Sequence, residues 1–133
     1  MLIPYWIQKA DLTSEDFDAV DYKQAQVALK KIDWRKEIQN QRDLEQLGKE
    51  NCDPGIGFVA DDGRILHICQ DGKGKAYFHY HFSETRKIFG IIPFKFDQVA
   101  SRMSIVEYEL AEVIRRFYLG DHEWLINKTK DRV

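Results

Sequence analysis

The chain has 133 residues, the usual length of one domain, which excludes a multidomain enzyme or a long repeat array. Its hydrophobic fraction of 44% and charged fraction of 32% exclude a disordered or collagen-like chain. The net charge of -2 is unevenly distributed: residues 1–63 carry 8 basic and 13 acidic side chains (-5), whereas residues 64–133 carry 12 and 9 (+3). We expect a single domain over residues 1–133.

An acidic stretch lies near the N-terminus, with Lys9 and Lys23 as its only nearby bases. Such a stretch is typical of the solvated start of a helix, and it would also suit a basic protein partner. The basic C-terminal residues Lys128, Lys130 and Arg132 form too short a tail for a nucleic-acid arm, so no nucleic acid partner is expected. The acidic residues are Asp11, Glu15, Asp16, Asp18 and Asp21.

The compartment is inferred from what the sequence lacks. No apolar run approaches the roughly 18 residues of a membrane span, and residues 1–8 have no signal-peptide pattern, so we expect a cytoplasmic protein with no membrane partner. Two cysteines are too few for a disulfide scaffold, which also favours a reducing compartment. Whether Cys52 and Cys69 pair stays open at this point.

Two helices are predicted before residue 50. Over residues 22–32 the apolar positions follow helical spacing, and Asp21 with Gln24 suits an N-cap and its reciprocal partner. Residues 34–47 are strong helix formers, with Asp33 suited to the N-cap and Gly48 a typical C-terminal stop. The acidic stretch would lead into the first of these helices.

Four strands follow, joined by loops short enough for hairpins, which predicts an antiparallel meander. A final helix is predicted from a capping box at Ser104 and Glu107, with Gly120 at its end and Asp121 capping one further turn. Because the strands are grouped rather than alternating with helices, the fold class is α+β. The predicted strands are 56–60, 64–70, 75–82 and 87–94.

Three of the four histidines are predicted to gather on one face of this sheet. In the third strand, side-chain alternation places His79 and His81 opposite the even-numbered aromatic residues, whose side we assign to the core. A three-residue loop at 72–74 sets His67 across from His79, and a two-residue turn at 62–63 brings a phenylalanine of the first strand to the same side. The predicted face consists of Phe58, His67, Tyr77, His79 and His81.

This face has three interpretations. It could pack beneath the N-terminal helices as a second core layer. It could be a metal site or acid–base centre of an enzyme, since imidazole and thiol bind zinc and imidazole titrates near neutrality, but no carboxylate is available to orient the rings. It could bind a protein, because aromatic side chains are favoured at interface centres. We predict the last, with no metal, cofactor or catalytic residue, and a homodimer remains an open alternative.

The general layout resembles the small α+β immunity proteins that bacteria encode beside secreted toxins. The likeness covers the acidic helical start, the meander over 56–94 and the C-terminal helix that ends Arg-Arg-Phe-Tyr-Leu-Gly at residues 115–120. It implies a cytoplasmic protein that binds its cognate toxin and blocks the toxin's active site without catalysis of its own. No motif transfers individual binding residues, so the predicted contact combines the acidic stretch with the histidine-bearing face.

Overall fold

The hydrophobic periodicity of the chain produces ten regular elements in the computed structural model, which describes residues 1–130. The strands form one antiparallel sheet in the order β2-β1-β3-β4-β5-β6, which confirms the α+β class. The sheet has six strands rather than the four predicted. The elements are β1 (Ile3–Gln8), β2 (Ser14–Val20), α1 (Tyr22–Lys31), α2 (Trp34–Gln46), β3 (Gly55–Val59), β4 (Ile65–Gln70), β5 (Ala76–Ile88), β6 (Ile92–Ile105), α3 (Glu107–Tyr118) and α4 (His122–Lys130).

The core lies on one face of the sheet, against α1, α3 and α4. The phenol ring of Tyr80 meets Phe117 of α3 edge-on, with 6.2 Å between ring centroids, and Phe58 meets Tyr118 in the same way at 6.3 Å. Fully burying each such side chain contributes roughly 1.5–3 kcal/mol. The large strand residues of this core that are fully buried are Ile3, Ile56, Phe58, Leu66, Ile68, Phe78 and Tyr80.

The predicted ends of the first two helices are confirmed. The Asp21 carboxylate accepts a hydrogen bond from the backbone N–H of Gln24, and the Gln24 side chain accepts one from the backbone N–H of Asp21. Asp33 caps α2 in the same manner through the N–H of Lys36. Gly48 follows the end of α2 with φ +67°, a left-handed conformation that glycine adopts without strain.

Two strands precede these helices, where no strand was predicted. β2 carries Glu15, Asp16 and Asp18 and pairs only with β1, so it is an edge of the sheet. Charged side chains are common on edge strands because they discourage pairing with other chains. The acidic stretch is therefore an edge strand, and its interpretation as the start of a helix is wrong for residues 14–20.

The fourth predicted strand is misplaced. β5 continues through the predicted loop at 83–86 and pairs with β6 as far as Ile88 opposite Ile92. Beyond His81, where its pairing with β4 ends, β5 has β6 as its only neighbour. Residues 83–86 are polar because both faces of this extension meet solvent. A run of polar residues is also typical of a loop, which is why a loop was predicted here.

The predicted capping box of the C-terminal helix is wrong. Ser104 lies in β6 with φ +58°, and α3 begins at Glu107 after Val106, which makes no side-chain cap. The other end is as predicted: Gly120 has φ +70°, and the Asp121 carboxylate accepts a hydrogen bond from the N–H of Trp124 at 3.3 Å. α4 extends to Lys130, well beyond the single predicted turn.

The two hairpins around β4 decide which side chains share a face. The loop at 72–74 has the predicted three residues, and the N–H of Asp71 donates to the carbonyl of Lys75 at 2.9 Å. The loop before β4 also has three residues rather than two, because the N–H of Ala60 donates to the carbonyl of Arg64. Phe58 consequently pairs with Leu66 and points into the core.

The structure also bears on the state of the cysteines and on membrane-spanning helices. Cys52 and Cys69 are both free thiols. Within residues 1–130, no helix combines the length and apolar character needed to cross a membrane.

Candidate functional site

A single row of residues crosses all six strands on the face opposite the core. Each residue of the row is the direct cross-strand partner of the next, so their side-chain directions agree. From β2 to β6 the row is Asp16, Trp6, Gly57, His67, His79 and Ser101. We call this row, together with its neighbours Tyr77 and His81, the histidine face.

The histidine face is partly open to solvent. α1, which was the candidate cover, packs on the core side through Ala25 and Leu29. On β6, beside the histidines, Val99 is 57% exposed and Met103 is 58% exposed. The interpretation of this face as a second core layer beneath the N-terminal helices is therefore wrong for α1.

Gly57 allows the row to close around Trp6. A Cβ atom at position 57 would overlap the six-membered part of the Trp6 indole, so that the indole can lie over β3 only because the residue there is glycine. The indole reaches the ring of His67, with 5.5 Å between ring centroids. Trp6 thereby forms one wall of the histidine face.

The imidazole rings continue the row across β4 and β5. The centroids of His67 and His79 are 6.5 Å apart, and those of His79 and His81 are 6.4 Å apart. Nδ1 of His79 lies within hydrogen-bond distance of Ser101 Oγ, while the Tyr77 ring meets His79 edge-on at 5.3 Å. These contacts hold four rings in a fixed order along the sheet.

The partly buried carboxylate of Asp53 links the Tyr77 end of this face to α2. The Tyr77 hydroxyl donates to one oxygen of Asp53, and Nε2 of Gln41 donates to the other at 2.8 Å. Gln41 is one of the buried residues of α2. Burial, followed by the hydrogen bond to Asp53, raises the pKa of Tyr77, so the phenol stays protonated and keeps its donor role.

Burial keeps the two central imidazoles of the face, His67 and His79, uncharged around pH 7. Burial, with smaller contributions from His79 and His81, lowers the pKa of His67 to about 4. The pKa of His79 is lowered mainly by burial and also by His81. Neutral imidazoles offer one hydrogen-bond donor and one acceptor each, which suits recognition of polar groups.

The same face has little capacity for nucleophilic chemistry. Cys69 Sγ lies 3.3 Å from Nε2 of His67, as a nucleophile and its base would. Burial raises the pKa of this thiol to about 12, so at neutral pH it is a thiol rather than the reactive thiolate. With the pKa of His67 near 4, the imidazole is too weak a base to change that.

The geometry also does not suit a zinc site. Zinc ligands converge with nitrogen atoms about 2.0–2.1 Å from the metal. Among residues 1–130, no three His, Cys, Asp or Glu side chains are arranged to hold a metal ion. The ring spacing of 6.4–6.5 Å along the sheet spreads the imidazoles in a line instead of converging them on one point.

Half of the predicted site residues come together and the others do not. His67, Tyr77, His79 and His81 share the face as predicted, and Asp16 joins them through its pairing with Trp6. Phe58 does not, because the three-residue loop turns it into the core.

The remaining acids are used elsewhere. Glu15 pairs with Ile7, which places it on the core side of the edge strand, and Asp18 falls where the β1–β2 register shifts. Asp11 accepts hydrogen bonds from the N–H and hydroxyl of Thr13 in the β1–β2 turn, and Asp21 caps α1. The predicted acidic contact is thus divided between both faces, and only Asp16 belongs to the row.

Sequence reasoning missed Trp6, Gly57 and Ser101 as members of the face. The signal for Trp6 was the β-branched and aromatic composition of residues 3–7, which favours a strand. Gly57 and Ser101 have no such signal, because their role depends on their partners in neighbouring strands.

The low pKa of His67 predicts a pH dependence of stability. The unfolded chain binds a proton at this ring below about pH 6.5, whereas the folded chain resists it until about pH 4. The contribution of His67 to the free energy of unfolding is therefore fully present above pH 6.5 and is lost as the pH falls towards 4. The loss is about 2 kcal/mol, a figure reduced for the partial exposure of the ring to solvent. Urea unfolding from pH 4 to pH 8 measures the loss. In a His67→Gln variant this part of the slope should vanish; an identical slope would contradict the assignment.

No protein-family model, curated protein or solved structure matches this chain. A functional conclusion must therefore be drawn from the histidine face itself. The likeness to immunity proteins remains a prediction from the sequence layout.

Proposed function

We propose that this chain is a non-catalytic protein-binding module whose histidine face receives the partner. The observation that carries the proposal is the row that continues from the Asp16 carboxylate at one edge to Ser101 at the other. Its centre contains tryptophan, tyrosine and imidazole rings, which bury large areas with few rotatable bonds. Its margin contains the exposed apolar side chains of Val99 and Met103. Aromatic residues and methionine are enriched in protein interfaces relative to the rest of the surface.

The most concrete form of this proposal is an immunity-type inhibitor of a bacterial toxin, acting in the cytoplasm. The edge strand β2 adds negative charge beside the aromatic centre, which complements a basic cleft such as one that binds nucleic acid. A basic side chain of the partner could stack on the Trp6 indole while it pairs with Asp16. Catalysis has less support, because burial keeps the Cys69 thiol protonated at pH 7 and leaves His67 a weak base. A metal has less support because the imidazoles lie in a line rather than converging on one point.

Charge reversal at Asp16 tests this proposal. The Asp16→Lys variant should bind the toxin that this proposal expects a neighbouring gene to encode at least tenfold more weakly, since it places a cation against the basic cleft. Glu15→Lys is a matched control: it makes the same charge change one residue away, on the other side of β2. It should change the dissociation constant less than threefold. Isothermal titration calorimetry with purified toxin measures both.

Growth of cells that express the toxin gives a second readout. The wild-type chain and Glu15→Lys should protect the cells, and Asp16→Lys combined with His79→Glu should not. The proposal of toxin inhibition is wrong if the wild-type chain neither binds the adjacent toxin nor protects. If binding occurs but both charge reversals weaken it equally, the net charge of the edge strand and not the histidine face makes the contact.

A further inference from the structure

A two-stranded arm extends from the sheet beyond the end of β4. We call residues 83–98, which belong to β5, β6 and the turn between them, the hairpin arm. Residues 83–88 of β5 pair with β6 alone, and at about 3.3 Å per residue they extend roughly 20 Å. An isolated two-stranded hairpin is at best marginally stable in water, so the arm gains from a partner surface.

The end of the arm is apolar. Residues 88–94 read Ile-Phe-Gly-Ile-Ile-Pro-Phe, seven positions without a polar side chain. Phe89 is 90% exposed and Ile91 is 80% exposed, the two highest values among the large apolar residues of the described chain. Ile92 and Phe94 are also exposed. The tip therefore presents aromatic and aliphatic side chains to solvent at the far end of the arm.

The backbone turns Phe89 outward at a cost. Phe89 has φ +55°, a left-handed conformation that non-glycine residues rarely adopt, and Gly90 follows with φ +71°. A left-handed phenylalanine whose ring is exposed gains little packing within its own chain. Strained residues of this kind are concentrated at active sites, ligand clamps and switch regions.

A basic collar lies immediately behind the apolar tip. Lys87 and Lys95 are exposed. The last residue pair of the hairpin is Ile88 with Ile92; Lys87 lies one pair behind it, and Lys95 lies three pairs behind it. At about 3.3 Å per pair, their Cα atoms lie roughly 3 and 10 Å behind that pair. Acidic residues lie further from the tip. The Glu84 carboxylate forms a salt bridge with Arg86 at 3.1 Å, and the Asp97 carboxylate accepts a hydrogen bond from the Ser83 hydroxyl.

We propose that the hairpin arm docks this chain on an anionic lipid surface, with the tip inserted and the collar at the headgroups. The order of chemistry along the arm matches the layers of a membrane: apolar groups enter the acyl boundary, while lysines meet lipid phosphates. Interfacial elements insert about 5–10 Å, a depth that spans the distance from tip to collar. The earlier expectation of no membrane partner came from the lack of a spanning run, and seven residues are too few to span but enough for a tip.

Vesicle co-sedimentation tests the proposal with the full chain. Vesicles of phosphatidylcholine with 30% phosphatidylglycerol should sediment the protein at low salt, and vesicles of phosphatidylcholine alone should bind at least tenfold less. Phe89→Asp with Ile91→Asp should reduce binding at least tenfold, since both tip side chains become charged. Lys87→Glu with Lys95→Glu should reduce it about tenfold. Raising the salt to 0.5 M should weaken the wild-type interaction severalfold.

Matched controls separate the arm from general surface effects. Leu2→Asp with Leu47→Asp makes the same chemical change at two exposed leucines outside the arm, and Lys49→Glu with Lys73→Glu makes the same charge change at two exposed lysines. Both control variants should retain binding within threefold. Thermal unfolding should be unchanged by the tip substitutions, because these side chains lie outside the core.

Two results would overturn the proposal. One is absence of binding to phosphatidylglycerol vesicles by the wild-type chain, or equal binding by the tip variant. The other is a dimer in light scattering that the tip substitutions dissociate while no vesicle binding occurs, which would make the arm a contact between two copies.

Discussion

Replacing Phe58 by alanine is expected to lower the free energy of unfolding by about 3–5 kcal/mol, the cost of emptying a buried aromatic site. Phe58 is 0% exposed, and its ring packs against Tyr5 at 5.9 Å and Tyr118 at 6.3 Å between centroids. Little of that loss can be recovered, because strands and α3 enclose the site. Urea denaturation measures the change.

Val59→Ala is the matched control. Val59 is the next residue of β3 and points to the opposite side, where it is partly exposed, so its truncation should cost about 1 kcal/mol or less. The reverse order of the two effects would mean that β3 and β4 are paired one residue out of register. Phe58 would then belong to the histidine face, as the sequence alone predicted.

Gly57→Ala is expected to lower the free energy of unfolding by about 2–3 kcal/mol, in the range of overpacked sites. The added methyl group would overlap the Trp6 indole, which must then leave its place beside His67. Trp6 lies in the centre of the proposed interface, so toxin binding should weaken at least tenfold in the same variant. Calorimetric titration and urea unfolding measure the two effects independently.

Gly72→Ala provides the comparison for this substitution. A Cβ atom there would meet only the Gln41 side chain, at 3.8 Å, which is an ordinary contact. Stability should change by less than about 0.5 kcal/mol, because nothing must move. If Gly57→Ala also leaves the free energy of unfolding unchanged, then the position of the Trp6 indole does not require glycine at position 57, contrary to the structure.

These predictions concern different properties of one surface. Phe58→Ala acts on the support behind the histidine face, Gly57→Ala on its shape, His67→Gln on its row of rings and Asp16→Lys on its charge. If the face binds a partner, only the first should leave the affinity of the folded fraction unchanged, because Phe58 lies on the core side of the sheet.

The sequence by itself determined the features that depend on a few neighbouring residues. The caps at Asp21 and Asp33 and the helix stops at Gly48 and Gly120 were predicted from local chemistry and are confirmed. The pairing of His67 with His79 was also predicted, since the glycines of the loop at 72–74 favour three residues and thereby set the register.

Only the tertiary structure decided the rest of the face. Nothing in the local sequence around the acids at 15–18 indicates a strand. They form one because this segment pairs with the edge of β1. The side on which Phe58 lies depends on a turn that differs by one residue from the predicted one, and a one-residue slip reverses every side chain of a strand. Trp6, Gly57 and His67 are brought together by pairing between strands some ten to fifty residues apart in the chain. Such long-range pairing is selected by burial of the whole core, a property that no short segment of sequence expresses.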